Sequence, residues 1–254
     1  MERLTGVHSV REALRAGRRS LARLRLAPEL AARPAGAEIR ALAEKRGLPV
    51  EELEAGGGAP HQGVELEAGP LPEQGLEELL AEAPEAPWLV ALDGVEDPQN
   101  LGAIARVADG AGCFALLLTR RHAPPLSPAV SRASAGAIEH LPVGRIPNLR
   151  RALTTLRNEG FWSIGADLSD ATPLYGCPDR LFEGPLVFVL GAEGRGLRQG
   201  IRDAVDHRVE IPMQGQVASL NVATAAAVLL YEAARRRHDP DGPRRPDAGS
   251  REES

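Results

Sequence analysis

Five short apolar runs punctuate the second part of this 254-residue chain: WLVAL (88–92), FALLL (114–118), SIGAD (163–167), LVFVL (186–190) and HRVEI (207–211). Helix-patterned segments fall between most of them, at 101–110, 128–135, 149–158 and 220–237. Short runs with little polar alternation are strands buried on both faces, and strands alternating with helices require parallel crossovers. The expected fold class is therefore α/β, a mainly parallel sheet with helices on both faces. The helix over 220–237 follows its strand through the loop IPMQGQVASLN, which brings Ser219 and Asn221 to a strand-to-helix turn. Ligands meet parallel sheets at such turns, because a helix N-terminus offers unpaired N–H groups and a positive dipole end. The plain alternative is a capped helix with Ser219 as N-cap.

Residues 1–70 read as a smaller α/β module. A helix over Val7–Ala16 has Val10 and Leu14 on one face, and Leu21–Leu26 reads as a strand. A helix over 38–46 ends at Gly47 and Pro49, and a short strand over 64–67 follows the turn His61-Gln62-Gly63. Residues 71–87, rich in Pro and Glu with a weak helical pattern at 76–82, read as a linker to the main domain at 88–238. The tail at 239–254, DPDGPRRPDAGSREES, has no apolar residue beyond Ala and Pro and is expected to be disordered.

Aromatic residues make up only 3% of the chain, so Leu, Val, Ile and Ala must form the core. Two cysteines, Cys113 and Cys177, are too few for a disulfide framework or a zinc site. They read as reduced thiols in a cytoplasmic protein. The N-terminus lacks an apolar signal core, and no run approaches the ~20 apolar residues that span a bilayer. The net charge of −5 hides an asymmetry: residues 1–50 hold eleven basic and five acidic side chains, while 51–87 hold ten Glu and no Lys or Arg. A basic module beside an acidic segment is compatible with a nucleic-acid partner. Lys45 is the one lysine among 30 basic residues. Arginine favours bidentate phosphate contacts, although genomic base composition produces the same excess. Arg11, Arg15, Arg18 and Arg19 form either a phosphate-facing stripe or a solvated helix face, and His61 either touches RNA or bonds its own turn.

Three turns carry candidate chemistry. After the run at 88–92 comes DGVEDPQNLGAIAR, where Pro98 stops the strand, Asn100 suits an N-cap, Gly102 allows close backbone approach and Arg106 lies further along the helix. After the run at 186–190 comes GAEGRGL, with Gly191, Glu193, Gly194 and Gly196. Its Gly-x-x-Gly-x-Gly spacing is neither the dinucleotide fingerprint nor a P-loop, and its acid suits a cationic ligand better than a phosphate. The third turn is the loop before the last helix.

Taken together, Asn100-x-Gly102-x-x-x-Arg106, Leu190-Gly191-x-Glu193-Gly194-x-Gly196 and Ile211-Pro212-Met213 with Ser219-Leu220-Asn221-Val222 resemble the SpoU/TrmH branch of the SPOUT RNA methyltransferases, over about residues 88–237. Gly6-Val7-His8-Ser9-Val10 and His61-Gln62-Gly63-Val64 are similar to that family's L30e-like RNA-binding module. The resemblance implies a parallel sheet with a C-terminal trefoil knot, and S-adenosylmethionine held by main-chain groups near Gly191, Ile211 and Leu220. Met213 would either line the adenine pocket or fill a gap in the core, and the small residues Gly215 and Ala218 suit a backbone-lined pocket. It implies a catalytic set of Arg106, Asn100, Glu193, Ser219 and Asn221, with Arg106 activating a ribose 2′-hydroxyl and Asn100 orienting it. Arginine, with an ordinary pKa above about 12, is easier to defend as a charge-assisted donor than as a base. No metal is required. A homodimer through the knot-region helices is also implied, with apolar residues of the last helix serving core, interface or both. The two-domain layout is most similar to members that 2′-O-methylate a guanosine of 23S rRNA in the peptidyl-transferase loop. Another rRNA or tRNA target, and a non-catalytic RNA-binding homologue, are the alternatives. A Rossmann oxidoreductase fails on glycine spacing.

Overall fold

The computed structural model describes residues 1–53 and 62–237. His61 and the tail at 239–254 lie outside the described residues. The first part comprises β1 (Glu2–Thr5), α1 (Val7–Ala16), β2 (Leu21–Leu26), α2 (Pro28–Ala31), α3 (Pro34–Lys45), β3 (Val50–Glu52), β4 (Val64–Ala68) and α4 (Leu76–Ala81). The second comprises β5 (Trp88–Asp93), α5 (Pro98–Gly110), β6 (Ala115–Thr119), α6 (Pro128–Ala133), β7 (Val143–Ile146), α7 (Leu149–Asn158), β8 (Trp162–Ala166) and β9 (Thr172–Pro173). It continues through β10 (Leu186–Gly191), α8 (Gln199–Arg202), β11 (His207–Glu210) and α9 (Val222–Arg237).

The second part is the expected parallel sheet. Seven strands run in the order β7-β6-β5-β10-β8-β11-β9, and every pairing is parallel. The apolar runs are continuous because both faces are buried. Val90, Leu92, Leu116, Leu118, Phe188 and Leu190 point into the core under α5, α6 and α9. Their neighbours Leu89, Ala91, Leu117, Val187 and Val189 point into the core under α4 and α7. Gly102 sits where α5 meets α6: a Cβ there would lie 2.4 Å from the Ala133 Cβ, so only glycine permits that approach.

Two strands of this sheet, β7 and β9, have four and two residues and no apolar run to announce them. Leu76–Ala81 is helical as expected, and its Leu79 is fully buried in the second part's core. Just before it, Gln74 bridges to Gly144 on β7, donating to Val143 O and accepting from Arg145 N.

The first part is a four-stranded mixed sheet, β1-β4-β2-β3, packed on α1 and α3. Its arrangement answers the charge asymmetry. Arg23 and Arg25 on β2 lie beside acidic β3 and β4, and pair with Glu51 and Glu67, while Arg3 and Arg25 approach Glu65. Three arginines of the basic segment and three glutamates of the acidic one thus pair across one sheet.

The stripe on and after α1 divides: Arg11 and Arg15 stay on the solvated helix face in ion pairs, while Arg18 and Arg19 turn inward. Arg11 and Arg15 pair with Glu12, and Arg15 also with Glu38. Arg18 donates to the carbonyl of Leu141 at 2.6 Å. Arg19 is buried and grips Glu139 through Nε to Oε2 at 2.7 Å and Nη2 to Oε1 at 3.1 Å. These last two arginines clamp the first sheet onto the second.

Candidate active site

Strands β8, β10 and β11 are neighbours, and their C-terminal ends open onto one cavity of about 280 Å³. That volume lies near the lower end for small-molecule pockets. Gly191, Glu193, Ile211, Met213, Ser219 and Leu220 all line it. Sequence reasoning had placed the four cofactor residues among these six.

The wall on the β10 side is the glycine-rich turn. After Gly191 the chain folds back on itself, with Ala192 bridging to Gly196 and Gly196 N donating to Ala192 O at 2.9 Å. Gly194 and Gly196 adopt φ of 76° and 65°, the left-handed region that glycine enters without a Cβ clash. Gly191 is glycine for another reason: a Cβ there would lie 2.1 Å from the carbonyl carbon of Gly196. Backbone cannot yield as a side-chain end can. Gly191→Ala is therefore expected to displace the 191–198 turn, destabilise the fold by ~1–3 kcal/mol and abolish ligand binding in the cavity. Calorimetric titration with S-adenosylmethionine and thermal unfolding check both.

Two carboxylates that the sequence reading did not select hold this turn and its neighbour. Asp93, at the end of β5 and with its side chain fully buried, accepts from Arg198 N at 2.9 Å and from Arg198 Nε at 2.8 Å. Asp167, after β8, accepts from Arg202 Nε at 3.0 Å and Ser169 N at 2.8 Å, and it also lines the cavity. Asp93 directly follows an apolar run and Asp167 ends one, which is the signal that could have found them.

The opposite wall is the segment 211–221, which leads from β11 across to α9. That helix packs on α5 and β10, so the chain returns over the C-terminal edge of the sheet. Here the resemblance puts the trefoil knot. Asn221 ends the segment, and its Oδ1 accepts from Ala223 N at 2.9 Å and Thr224 N at 3.4 Å. Asn221, rather than Ser219, is the N-cap of α9. Ser219 is exposed on the cavity rim, two residues too early to reach the helix N–H groups. A parallel correction applies to α5. Asp97 caps it by accepting from Gln99 N at 3.0 Å, because Pro98 is favoured at the first helical position. Asn100 therefore lies inside the first turn, with its side chain free for other work.

That side chain joins the two walls. Asn221 Nδ2 donates to Asn100 Oδ1 at 2.9 Å, and Asn100 Nδ2 reaches Glu193 Oε2 in a longer 3.4 Å contact. The donors run one way, from the N–H groups of α9 through both amides to the Glu193 carboxylate. Asn100 and Glu193 also line a second cavity of about 460 Å³, which shares Ala192, Glu193, Arg195, Gly196 and Val222 with the first. Glu193 thus stands on the wall between two adjoining cavities. Arg106 is not brought to them. It is exposed on α5, lines neither cavity and makes no hydrogen bond or ion pair with another described residue. Among the described residues no cluster of His, Cys, Asp and Glu is placed to hold a metal ion.

Comparison with known proteins agrees with this geometry. The model of the SpoU rRNA Methylase family matches residues 87–231, which takes in both walls and the Asn100 helix. The 23S rRNA (guanosine-2′-O-)-methyltransferase RlmB of Pseudomonas putida is 36% identical over 245 residues, covering 93% of this chain and 97% of that one. An AdoMet-bound rRNA methyltransferase from Sinorhizobium meliloti superposes with a TM-score of 0.76 at 25% identity, covering 94% of this chain and 88% of that one. AviRb, a SpoU methyltransferase from Streptomyces viridochromogenes in complex with AdoMet, gives 0.75 at 26% identity, covering 92% and 90%. The chain belongs to the SpoU rRNA methylase family.

Proposed function

We propose that this protein is an S-adenosylmethionine-dependent RNA 2′-O-ribose methyltransferase, and that its target is a guanosine of 23S rRNA. The observation that carries the reading is the position of Glu193, at the junction of a cavity built for a small ligand and a second one entered by Asn100. The first cavity suits the cofactor chemically. Leu190, Ile211, Met213 and Leu220 offer an apolar wall for a purine, while Glu193 and Glu210 offer carboxylates to a cation. Bound there, S-adenosylmethionine supplies an electrophilic methyl group. The protein must then hold a ribose 2′-hydroxyl in line with it and stabilise charge on the oxygen as its proton leaves.

Arg106 supplies that stabilisation in this reading, as a charge-assisted donor to the nucleophile and its neighbouring phosphate. Asn100, held by Asn221, and Glu193 fix the shape of the acceptor space, and Ser219 lies at its cofactor edge. Arg106 stands on a different face of α5 from these groups, so we place its action across a homodimer formed by α5 and α9. The partly buried Ala103, Val107 and Val228 support that interface, as does the exposed Tyr231 beside Gly110. The first sheet is read as the RNA-binding module over residues 1–70, joined by 71–87 to the catalytic part at 88–238. Buried, unpaired Cys113 and Cys177 suit the cytoplasm; burial pushes the Cys113 thiol up to about 12. Among the described residues no helix is long and apolar enough to cross a membrane.

The test is transfer of labelled methyl from S-adenosylmethionine to a 23S rRNA transcript and to bulk tRNA, with the product mapped by 2′-O-methyl-sensitive primer extension. The expected result is one modified guanosine in the 23S transcript. Modification of tRNA alone would replace the substrate, and absence of heat on titration with S-adenosylmethionine would leave only an RNA-binding role.

A further inference from the structure

Most arginines of the described chain spend their guanidinium on a carboxylate or a carbonyl oxygen. Arg120, Arg121, Arg150, Arg151 and Arg195 are among those that meet no such partner, and all five lie toward the C-terminal edge of the parallel sheet, after β6, at the start of α7 or in the turn after β10. Two of them line a third cavity of about 440 Å³, bounded by Thr119, Arg121, His122, Pro147, Arg150 and Arg198. No acidic side chain lines it. Arg198 is pinned by Asp93 from beneath, and its side chain remains half exposed. His122 is bonded to Glu96 through Nδ1 at 2.9 Å. The unshared positive charge of the cavity therefore belongs to Arg121 and Arg150.

This space adjoins the site described above. It shares His122 and Arg198 with the cavity that holds Asn100, and that cavity shares Glu193 and Arg195 with the cofactor space. Three neighbouring cavities along one edge of the sheet, the last lined by unpaired guanidinium groups, have the form of a track for a polymer with regularly spaced anionic groups. Guanidinium forks match phosphate oxygens bidentately, and phosphate contacts fix the register of a nucleic acid without reading its bases.

We propose that the cavity between β6, β7 and the start of α8 is a subsite for a backbone phosphodiester flanking the nucleotide under modification, with Arg121 and Arg150 as its donors. The proposal rests on the RNA methyltransferase reading of the adjoining site. Arg198 contributes one wall, and through Asp93 that wall belongs to the same turn that lines the cofactor space.

The experiment compares wild type with Arg121→Ala, Arg150→Ala and the double variant, and includes Arg180→Ala as an exposed, unpaired arginine remote from the three cavities. The probe is a 23S rRNA transcript, followed by fluorescence anisotropy across a salt series, and by steady-state methyl transfer. Each of the two substitutions is expected to weaken RNA binding by roughly tenfold and to lower the slope of log K against log salt by about 0.7–0.9. The loss should appear in KM for RNA more than in kcat, with S-adenosylmethionine affinity unchanged, and Arg180→Ala should not move the slope. Lysine at either position should restore part of the affinity. An unchanged slope in the double variant, or an equal loss in Arg180→Ala, would overturn the subsite. So would loss of GMP or inorganic phosphate binding with RNA affinity intact, since the anion would then be a free one. The binding assay needs no turnover, so an inactive wild type would overturn the enzymatic reading and still decide the subsite.

Discussion

Replacing Arg106 by alanine is expected to reduce methyl transfer by about 10²–10⁴-fold while leaving S-adenosylmethionine affinity and thermal stability as in wild type. The stability half of this expectation follows from placement. Arg106 is exposed, packs into no core cluster and pairs with no described residue, while its neighbours Ile104 and Ala105 carry the buried face of α5. The activity half follows from chemistry. A ribose hydroxyl is a very weak acid, and a donor aimed at the forming alkoxide acts mainly in the transition state. Its loss therefore falls on kcat rather than on cofactor binding. Arg106→Lys keeps the charge and loses the planar fork, so partial activity is expected. Titration calorimetry and single-turnover transfer separate the two effects. Full retention of transfer in Arg106→Ala would remove this residue from the catalytic set and, with it, the need for a second subunit.

Glu139→Ala is expected to be the most destabilising of the substitutions considered. Arg19 and Glu139 are both about 1% exposed, and Arg19 also donates to Glu2 Oε2 at 2.7 Å and to the carbonyl of Gly69 at 3.0 Å. Deleting the carboxylate leaves a buried guanidinium short of its bidentate partner. Breaking a buried pair in this way costs ~3–5 kcal/mol, which for a chain of this size lowers the thermal midpoint by on the order of 10 °C. Replacing both members together, as Arg19→Met with Glu139→Leu, is expected to recover much of that loss, because desolvation offsets much of the attraction in the native pair. A double-mutant cycle followed by thermal unfolding gives the coupling directly. Near-additive single and double losses would show that the Arg19–Glu139 pair adds no coupling of its own to the contact between the two parts.

The parallel sheet was legible because its central strands are buried on both faces, which leaves an apolar run in the sequence. Strands β7 and β9 left no such trace: VGRI carries a glycine and an arginine, and β9 has two residues. The short strands β1 and β3 of the first sheet were missed for the same reason. The two caps were misplaced by a few residues, since Asp97 and Asn221 compete with Asn100 and Ser219 in sequences where either choice satisfies local rules. The residues gathered at Glu193 were found through motif spacing, not through periodicity. Asp93 and Asp167 were overlooked because their function is defined by Arg198 and Arg202, far along the chain. The fate of Arg18 and Arg19 was equally unreadable, as their partners lie about 120 residues away.

The pairing of arginine and glutamate across the first sheet has a kinetic consequence. Opposite charges a few ångströms apart leave little field beyond a Debye length of about 8 Å at physiological ionic strength. That surface is then electrically quiet at the distances from which a large polyanion is first felt, and in the proposed reading its part in RNA recognition is confined to contact, by shape and hydrogen bonding. Five of the uncompensated arginines, Arg120, Arg121, Arg150, Arg151 and Arg195, lie toward the C-terminal edge of the other sheet. In the RNA methyltransferase reading proposed above, long-range attraction to this cluster turns that edge toward RNA first.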